Sequence, residues 1–211
     1  MTHAALPVVS WDLDGTLYDL DALRADVRHR IARSVRPGSW RQARDAGRAL
    51  RQHRNHVQRV RSAGGVLDAE AHAFWSGTLW ADFTGHFVIP ALRALGPWQG
   101  ALTFLQQAAD AGLTSVVVSD FAVEEKLDAL GLSAFFQAGF AGSAIGALKP
   151  HPSVFAHVME RLKVVPSSLL HIGDRADTDG VAAASAGVRF CHVVRGDFVP
   201  VGVALDRWRN G

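Results

Sequence analysis

Residues 6–17 read Leu-Pro-Val-Val-Ser-Trp-Asp-Leu-Asp-Gly-Thr-Leu, an apolar, partly β-branched run that passes directly into two carboxylates, a glycine and a hydroxyl. A buried parallel strand that ends in a functional loop has this form. The reading is a strand over Leu6–Trp11 with Asp12 and Asp14 at its carboxyl end. Three further runs share the pattern: Leu113–Val118 before Ser119-Asp120, Ser168–Ile172 before Gly173-Asp174, and Val188–Val194. Phe135–Phe140 is a weaker fifth. Helical patterns separate them, over Gly100–Ala111, Val123–Leu130, Pro152–Lys163 and Thr178–Ala186, the last closed by Gly187. Alternating strand and helix predicts an α/β fold, a parallel sheet with helices on both faces.

Residues 18–95 break this rhythm, showing helical periodicity and no convincing strand. From Trp40 to Arg61, Ala43, Ala46, Leu50, Val57 and Val60 share one helical face, while Arg41, Arg44, Arg48, Arg51 and Arg59 share the other. Gly64-Gly65 ends that helix, and Ala69–Phe83 and Phe87–Leu95 read as further helices divided at Thr84-Gly85. The expected organisation is a core of residues 1–17 and 96–211 carrying an all-helical insert over 18–95. The insert is basic, with 13 Arg, no Lys and 7 acids, and the remainder is net acidic. A basic insert over an acidic core suggests carboxylates gathered for a metal and a surface that attracts an anion.

The whole chain, 211 residues with 48% hydrophobic and 20% charged, has the composition of an ordinary globular protein, which excludes disorder, collagen and coiled coil. Its single cysteine, Cys191, excludes an intramolecular disulfide and a multi-thiolate zinc site, so the cytoplasm is the expected compartment. Ala4–Val9 is too short to span a membrane and lacks a basic leader, so neither a membrane anchor nor a targeting segment is expected. Nothing in the sequence specifies an oligomeric state.

In an open parallel sheet the loops at the carboxyl ends of the strands converge on one crevice. Asp12 and Asp14 follow the first strand, Ser119 and Asp120 the second, and Asp174, Asp177 and Asp179 a further one, while Lys149 falls in a loop before a helix. Clustered carboxylates repel one another unless a cation sits among them, and an oxygen donor set without Cys or paired His favours Mg²⁺. A lysine and a hydroxyl beside that metal form an anion site, for which a phosphoryl group is the natural occupant.

Trp11-Asp12-Leu13-Asp14-Gly15-Thr16-Leu17 resembles the first motif of the haloacid dehalogenase-like hydrolases. Val116-Val117-Val118-Ser119 is similar to their second, Lys149-Pro150 to their third, and Ile172-Gly173-Asp174 with Asp179 to their fourth. All four occur in order over about residues 7–187, and the helical insert resembles the small cap of the phosphatase-like branch. The resemblance implies a Rossmann-like three-layer core and Mg²⁺-dependent hydrolysis of a small phosphorylated metabolite. It implies Asp12 as nucleophile, through an aspartyl-phosphate, and Asp14 as general acid and base with a shifted pKa. The metal would be held by Asp12, the Asp14 backbone carbonyl and Asp174, with Asp179 in support, and the phosphate by Ser119 and Lys149. Members that cleave carbon–halogen or phosphonate bonds lack the second aspartate, so Asp14 points to phosphate esters. A phosphomutase would use the same residues, and a non-catalytic protein that binds an acidic partner through the basic insert is the alternative from another class.

The other polar residues have plainer readings. Asp120 either puts one more acid near the phosphate or, the favoured reading, caps a helix beginning near Phe121; Asp177 lies between the two motif aspartates, can equally cap a helix beginning near Thr178, and is left out of the metal site. The arginine stripe is that of a solvated helix, and no aromatic residue interleaves with it, which argues against nucleic acid. Arg24 and Arg28 stand near the entrance of the insert as candidates for meeting an anionic substrate. His53 and His56 are expected to be structural, His171 to pack near Asp174, His151 to face the site from beside Lys149, and Cys191 to be a small buried residue.

Overall fold

A computed structural model describes residues 7–36 and 40–210 of the chain. Five parallel strands, β1 (Val8–Trp11), β2 (Thr114–Ser119), β3 (Ala138–Ala141), β4 (Leu169–Gly173) and β5 (Arg189–His192), form one sheet in the order β3-β2-β1-β4-β5. All five expected strands are present, including the weak one. Leu6 lies outside the described residues.

Side chains alternate across the sheet as a pleated strand requires. Val9, Trp11, Val117, Leu170 and Ile172 enter one hydrophobic cluster, and Val8, Val116, Val118 and Leu169 enter the cluster on the opposite face. Both faces are covered, so the strands read as continuous apolar runs and not as alternation. Each fully buried large side chain, such as Trp11, contributes about 1.5–3 kcal/mol of transfer free energy.

Between β1 and β2 run α1 (Leu20–Arg33), α2 (Trp40–Ser62), α3 (Ala69–Trp75), α4 (Thr78–Phe83), α5 (Ile89–Leu95) and α6 (Gln99–Asp110). Asp19 caps α1 by accepting from the Asp21 and Ala22 amides, and Asp68 caps α3 by accepting from Ala71. The expected division at Thr84-Gly85 is absent: a π-helical turn over Thr84–Val88 carries α4 into α5, burying Phe83 and Phe87. Leu23, Val27, Ala46, Phe83 and Leu92 from these helices join the cluster that holds Val9 and Trp11. On α2 the buried residues are Ala46, Ala49, His56 and Val60, whereas Leu50 is exposed. The apolar face is therefore rotated slightly from the one expected.

The remaining helices are α7 (Glu124–Leu130), α8 (Gly142–Ile145), α9 (Ser153–Leu162), α10 (Val181–Ser185) and α11 (Val199–Asn210). Ala176–Gly180 forms a second π-helical turn, leading into α10. The helix α11 has no counterpart in the sequence reading. Its Val199 and Val203 are exposed, which blurs the helical stripe that would announce it. No helix among the described residues is long and apolar enough to cross a membrane.

Candidate active site

The register aligns Trp11 with Val117 and with Ile172, so the loops after β1, β2 and β4 leave the sheet side by side. The Asp12 amide donates to the Ile172 carbonyl at 2.8 Å, tying two of them together. Asp12 is buried; one carboxylate oxygen accepts from Lys149 Nζ at 2.6 Å, and the Thr16 hydroxyl lies 3.1 Å from the other. Thr16 also reaches Asp174 Oδ1, at 3.3 Å. Lys149, itself buried, meets Asp179 at 2.5 Å and the Val118 carbonyl at 3.0 Å.

Two glycines make this crowding possible. Gly15 has φ of +102°, and a Cβ there would collide with the Asp174 carboxylate. A Cβ at Gly173 would lie 2.7 Å from Asp179 Cγ.

Each carboxylate oxygen in this knot competes for few cations. One oxygen from each of Asp12, Asp174 and Asp179 lies within 4.8 Å of the others. Burial is the main reason the Asp12 pKa lies well above the usual carboxylate range, and repulsion from Asp179 and Asp174 adds to it against the pull of Lys149. Burial and Asp179 likewise raise Asp174. Burial also works to raise Asp179, but Lys149, with help from His171, outweighs it and holds that carboxylate below its ordinary value. Desolvation opposes the Lys149 charge, yet Asp12 and Asp179 more than offset it, so Lys149 stays an ammonium. Three carboxylates around a single ammonium, all offering oxygen donors, suit a hard divalent cation.

Asp14 stands apart from that knot. Lys126 Nζ lies 2.7 Å from both of its oxygens, and the Tyr18 hydroxyl donates to one of them. Burial acts to raise its pKa, but Lys126 and Tyr18 together win, and it lies below the usual range. Ser119 is buried, lines the same cavity, and its Oγ has no hydrogen-bond partner among the described residues. The cavity, about 1540 Å³ and open, is walled by Asp12, Ser119 and Lys149 on one side and by His53, Arg54 and Arg61 of α2 on another.

Asp12, Asp14, Ser119, Lys149, Asp174 and Asp179, read from the sequence as site residues, all line this one cavity. Others differ from the reading. Asp120 caps no helix, since α7 starts only at Glu124; its carboxylate accepts from the Lys149 amide at 2.9 Å and from Arg61 of α2 at 2.7 Å. Asp177 is exposed and pairs with Arg175 at 2.7 Å instead of capping. His171 contacts Asp179 at 3.4 Å and Ser10 at 3.0 Å, not Asp174, and burial lowers its pKa from the ordinary imidazole value. His151 turns away to Ser153, at 2.7 Å. Arg24 and Arg28 line the cavity, as does His53, while His56 is packed beside Arg59. Cys191 is buried, and burial pushes its thiol up to about 11.

Four residues at the site carry no role in the sequence reading: Thr16, which only stands in the first motif, Tyr18, Arg61 and Lys126. Thr16 and Tyr18 sit one helical turn after Asp12 and Asp14, a local spacing that could have disclosed them. Arg61 and Lys126 act across 59 and 112 residues, so no spacing of one turn points to their partners.

A glyceraldehyde 3-phosphate phosphatase of Methanopyrus kandleri is 34% identical over 107 residues, covering 49% of this chain and 46% of that protein. The chain spans about half the length of the curated relatives it matches. Among solved structures, a HAD phosphatase from Thermococcus onnurineus aligns with a TM-score of 0.60 at 21% identity, over 91% of this chain and 88% of that one. The L-2-haloacid dehalogenase of Xanthobacter autotrophicus, bearing covalently bound chloropropionic acid, aligns at 0.61 with 22% identity, over 89% and 77%. These structural likenesses speak for the fold alone. The profile of the haloacid dehalogenase-like hydrolases matches residues 6–187, and with the four motifs gathered around one cavity, the chain belongs to that family of hydrolases.

Proposed function

We propose that the protein is a Mg²⁺-dependent phosphatase that hydrolyses a small organic phosphate monoester through an aspartyl-phosphate on Asp12. The observation that carries this reading is the buried, unpartnered Ser119 hydroxyl on the cavity that also holds the Lys149–Asp12 pair. A buried polar group without a partner costs about 1–3 kcal/mol. An incoming phosphoryl oxygen would recover that cost. The relative named as a glyceraldehyde 3-phosphate phosphatase supports phosphate-ester chemistry on a small metabolite.

In the first step a carboxylate oxygen of Asp12 attacks phosphorus, and the ester oxygen departs with a proton supplied by Asp14. Ser119 and Lys149 hold the equatorial oxygens in place. In the second step water attacks the acyl phosphate, Asp14 takes its proton, and phosphate leaves while Asp12 regains its carboxylate. Lys126 keeps Asp14 ionised, the form required of the base. As the acid of the first step, Asp14 takes up a proton from solvent once Lys126 has left its oxygens, and passes that proton to the ester oxygen. Asp12, Asp174 and the Asp14 backbone carbonyl would hold the cation, with Asp179 supporting. When bound, it offsets the carboxylate repulsion and neutralises phosphoryl charge.

Residues 18–95 act in this reading as a cap over the core of 1–17 and 96–211, excluding water until the phosphoryl enzyme forms. The partner is a small phosphorylated metabolite and not nucleic acid, and a cytoplasmic setting fits the lone buried thiol.

The test is hydrolysis of p-nitrophenyl phosphate and a phosphometabolite panel, with Mg²⁺ or with chelator, by the wild type and Asp12→Asn. Activity that needs both the metal and Asp12 is expected, with the variant down about 10³-fold or more. A folded wild type that hydrolyses nothing overturns the reading.

A further inference from the structure

The side of the cavity over Asp14 carries donors to which the proposed chemistry assigns no contact with the substrate. Lys126 brings an ammonium with three N–H groups, two of them met by the Asp14 oxygens. His53 of α2, a partly buried ring, lines the same cavity. His53 stacks on Trp80 with centroids 4.4 Å apart and planes 6° from parallel, and Phe121 meets it edge-on at 4.7 Å. The Trp75 indole N–H donates to its Nδ1 at 3.1 Å. Since an indole nitrogen only donates, Nδ1 must be the acceptor, and the proton of the neutral ring is on Nε2. That Nε2–H has no hydrogen-bond partner among the described residues. Lys126 and His53 line the same cavity, and Phe121, which meets the His53 ring, lies five residues before Lys126. Arg28 and Arg54 line the same cavity with no acidic partner among the described residues, whereas Arg24 is paired with Asp21 and Arg61 with Asp120.

We propose that Lys126 and His53 form a subsite for a second acidic group, a carboxylate or another phosphate, carried by the leaving alcohol of the substrate. The inference rests on the phosphatase reading, in which Asp14 meets the leaving oxygen. An ammonium 2.7 Å from Asp14 then stands about one substituent away from that oxygen. A neutral leaving group leaves Lys126 on Asp14. An acidic one draws the ammonium onto itself, frees the Asp14 oxygens for the ester, and accepts the second bond from His53 Nε2–H. The rigid aromatic setting of His53 fixes this donor in advance, and the unpaired arginines add an attractive field at the entrance.

Two matched pairs test this: phosphoglycolate against 2-hydroxyethyl phosphate, and propanediol bisphosphate against propanediol monophosphate. The wild type is expected to favour the acidic member of one pair by about tenfold or more in kcat/KM. The pair that shows the preference identifies the acid. In Lys126→Met the preference falls about tenfold, chiefly through KM, and Lys126→Arg restores part of it. In His53→Phe it falls by a smaller factor. Because each variant is judged by a ratio within one preparation, loss of folded protein cancels. Equal treatment of both members by the wild type, or a preference kept in Lys126→Met, overturns the subsite while leaving the phosphatase reading intact. A wild type inert on all four substrates and on p-nitrophenyl phosphate removes both.

Discussion

Lowering the pH should unfold this protein partly through a single histidine. Burial against Trp80, Phe121 and Trp75 lowers the His53 pKa from 6.5 to about 4, and the nearby Lys126 charge adds to that effect against the pull of Asp14. The unfolded chain therefore binds a proton at this position that the folded chain refuses. The stability it contributes is fully present above pH 6.5 and is lost as the pH falls towards 4. Between pH 7 and pH 5 the linkage amounts to about 2 kcal/mol. Urea unfolding of the wild type and His53→Phe at both pH values isolates it, since the other titrating groups are common to the two proteins. The wild type should lose about 2 kcal/mol relative to the variant over that interval, whatever constant offset the lost Trp75 hydrogen bond introduces. An NMR titration should find one imidazole, absent in the variant, still neutral at pH 5. A difference in stability that does not change with pH, or a His53 that titrates near 6.5, would refute the reasoning.

Lys149→Met strands the buried Asp12 and Asp179 carboxylates, and loss of one partner from a buried ion pair costs about 3–5 kcal/mol. For a chain of this length that lowers Tm by roughly 10 °C, which differential scanning calorimetry at pH 7 reads; an unchanged Tm contradicts the assignment of Lys149 as their counter-ion. Mg²⁺ at a hundred times its Kd should stabilise the wild type by about 2.7 kcal/mol, or about 5–10 °C, and Asp174→Asn should abolish most of the shift. Equal shifts in both proteins would place the cation elsewhere.

What could be read from the sequence and what could not divide along a physical line. Strands buried on both faces, such as Val8–Trp11 and Leu169–Gly173, announce themselves as apolar runs, and their carboxyl ends supply Asp12, Asp14 and Asp174 with no knowledge of register. Residues whose roles lie in tertiary contacts are not legible from local preference alone. Asp120 has the chemistry of an N-cap, yet it bridges α2 to the loop that carries Lys149, because Arg61 and the Lys149 amide offer a charge and an N–H where a cap offers only N–H groups. Composition and spacing alone give His53 a packing role. It does pack, but only in three dimensions does the Trp75 hydrogen bond also fix its tautomer towards the cavity.

Lys126 left one local clue. With Asp120 read as a cap, it falls in the middle of a helix, where a lysine is unremarked. The helix in fact begins at Glu124, so Lys126 lies in the first turn, beside the positive end of the helix dipole. A cation there opposes the dipole and is misplaced by local rules. Asp14, more than a hundred residues away in sequence, supplies the anion that compensates for it. A charge set against its own helix is thus a mark of a partner elsewhere in the fold, and here that partner is the aspartate on which we place the proton transfer.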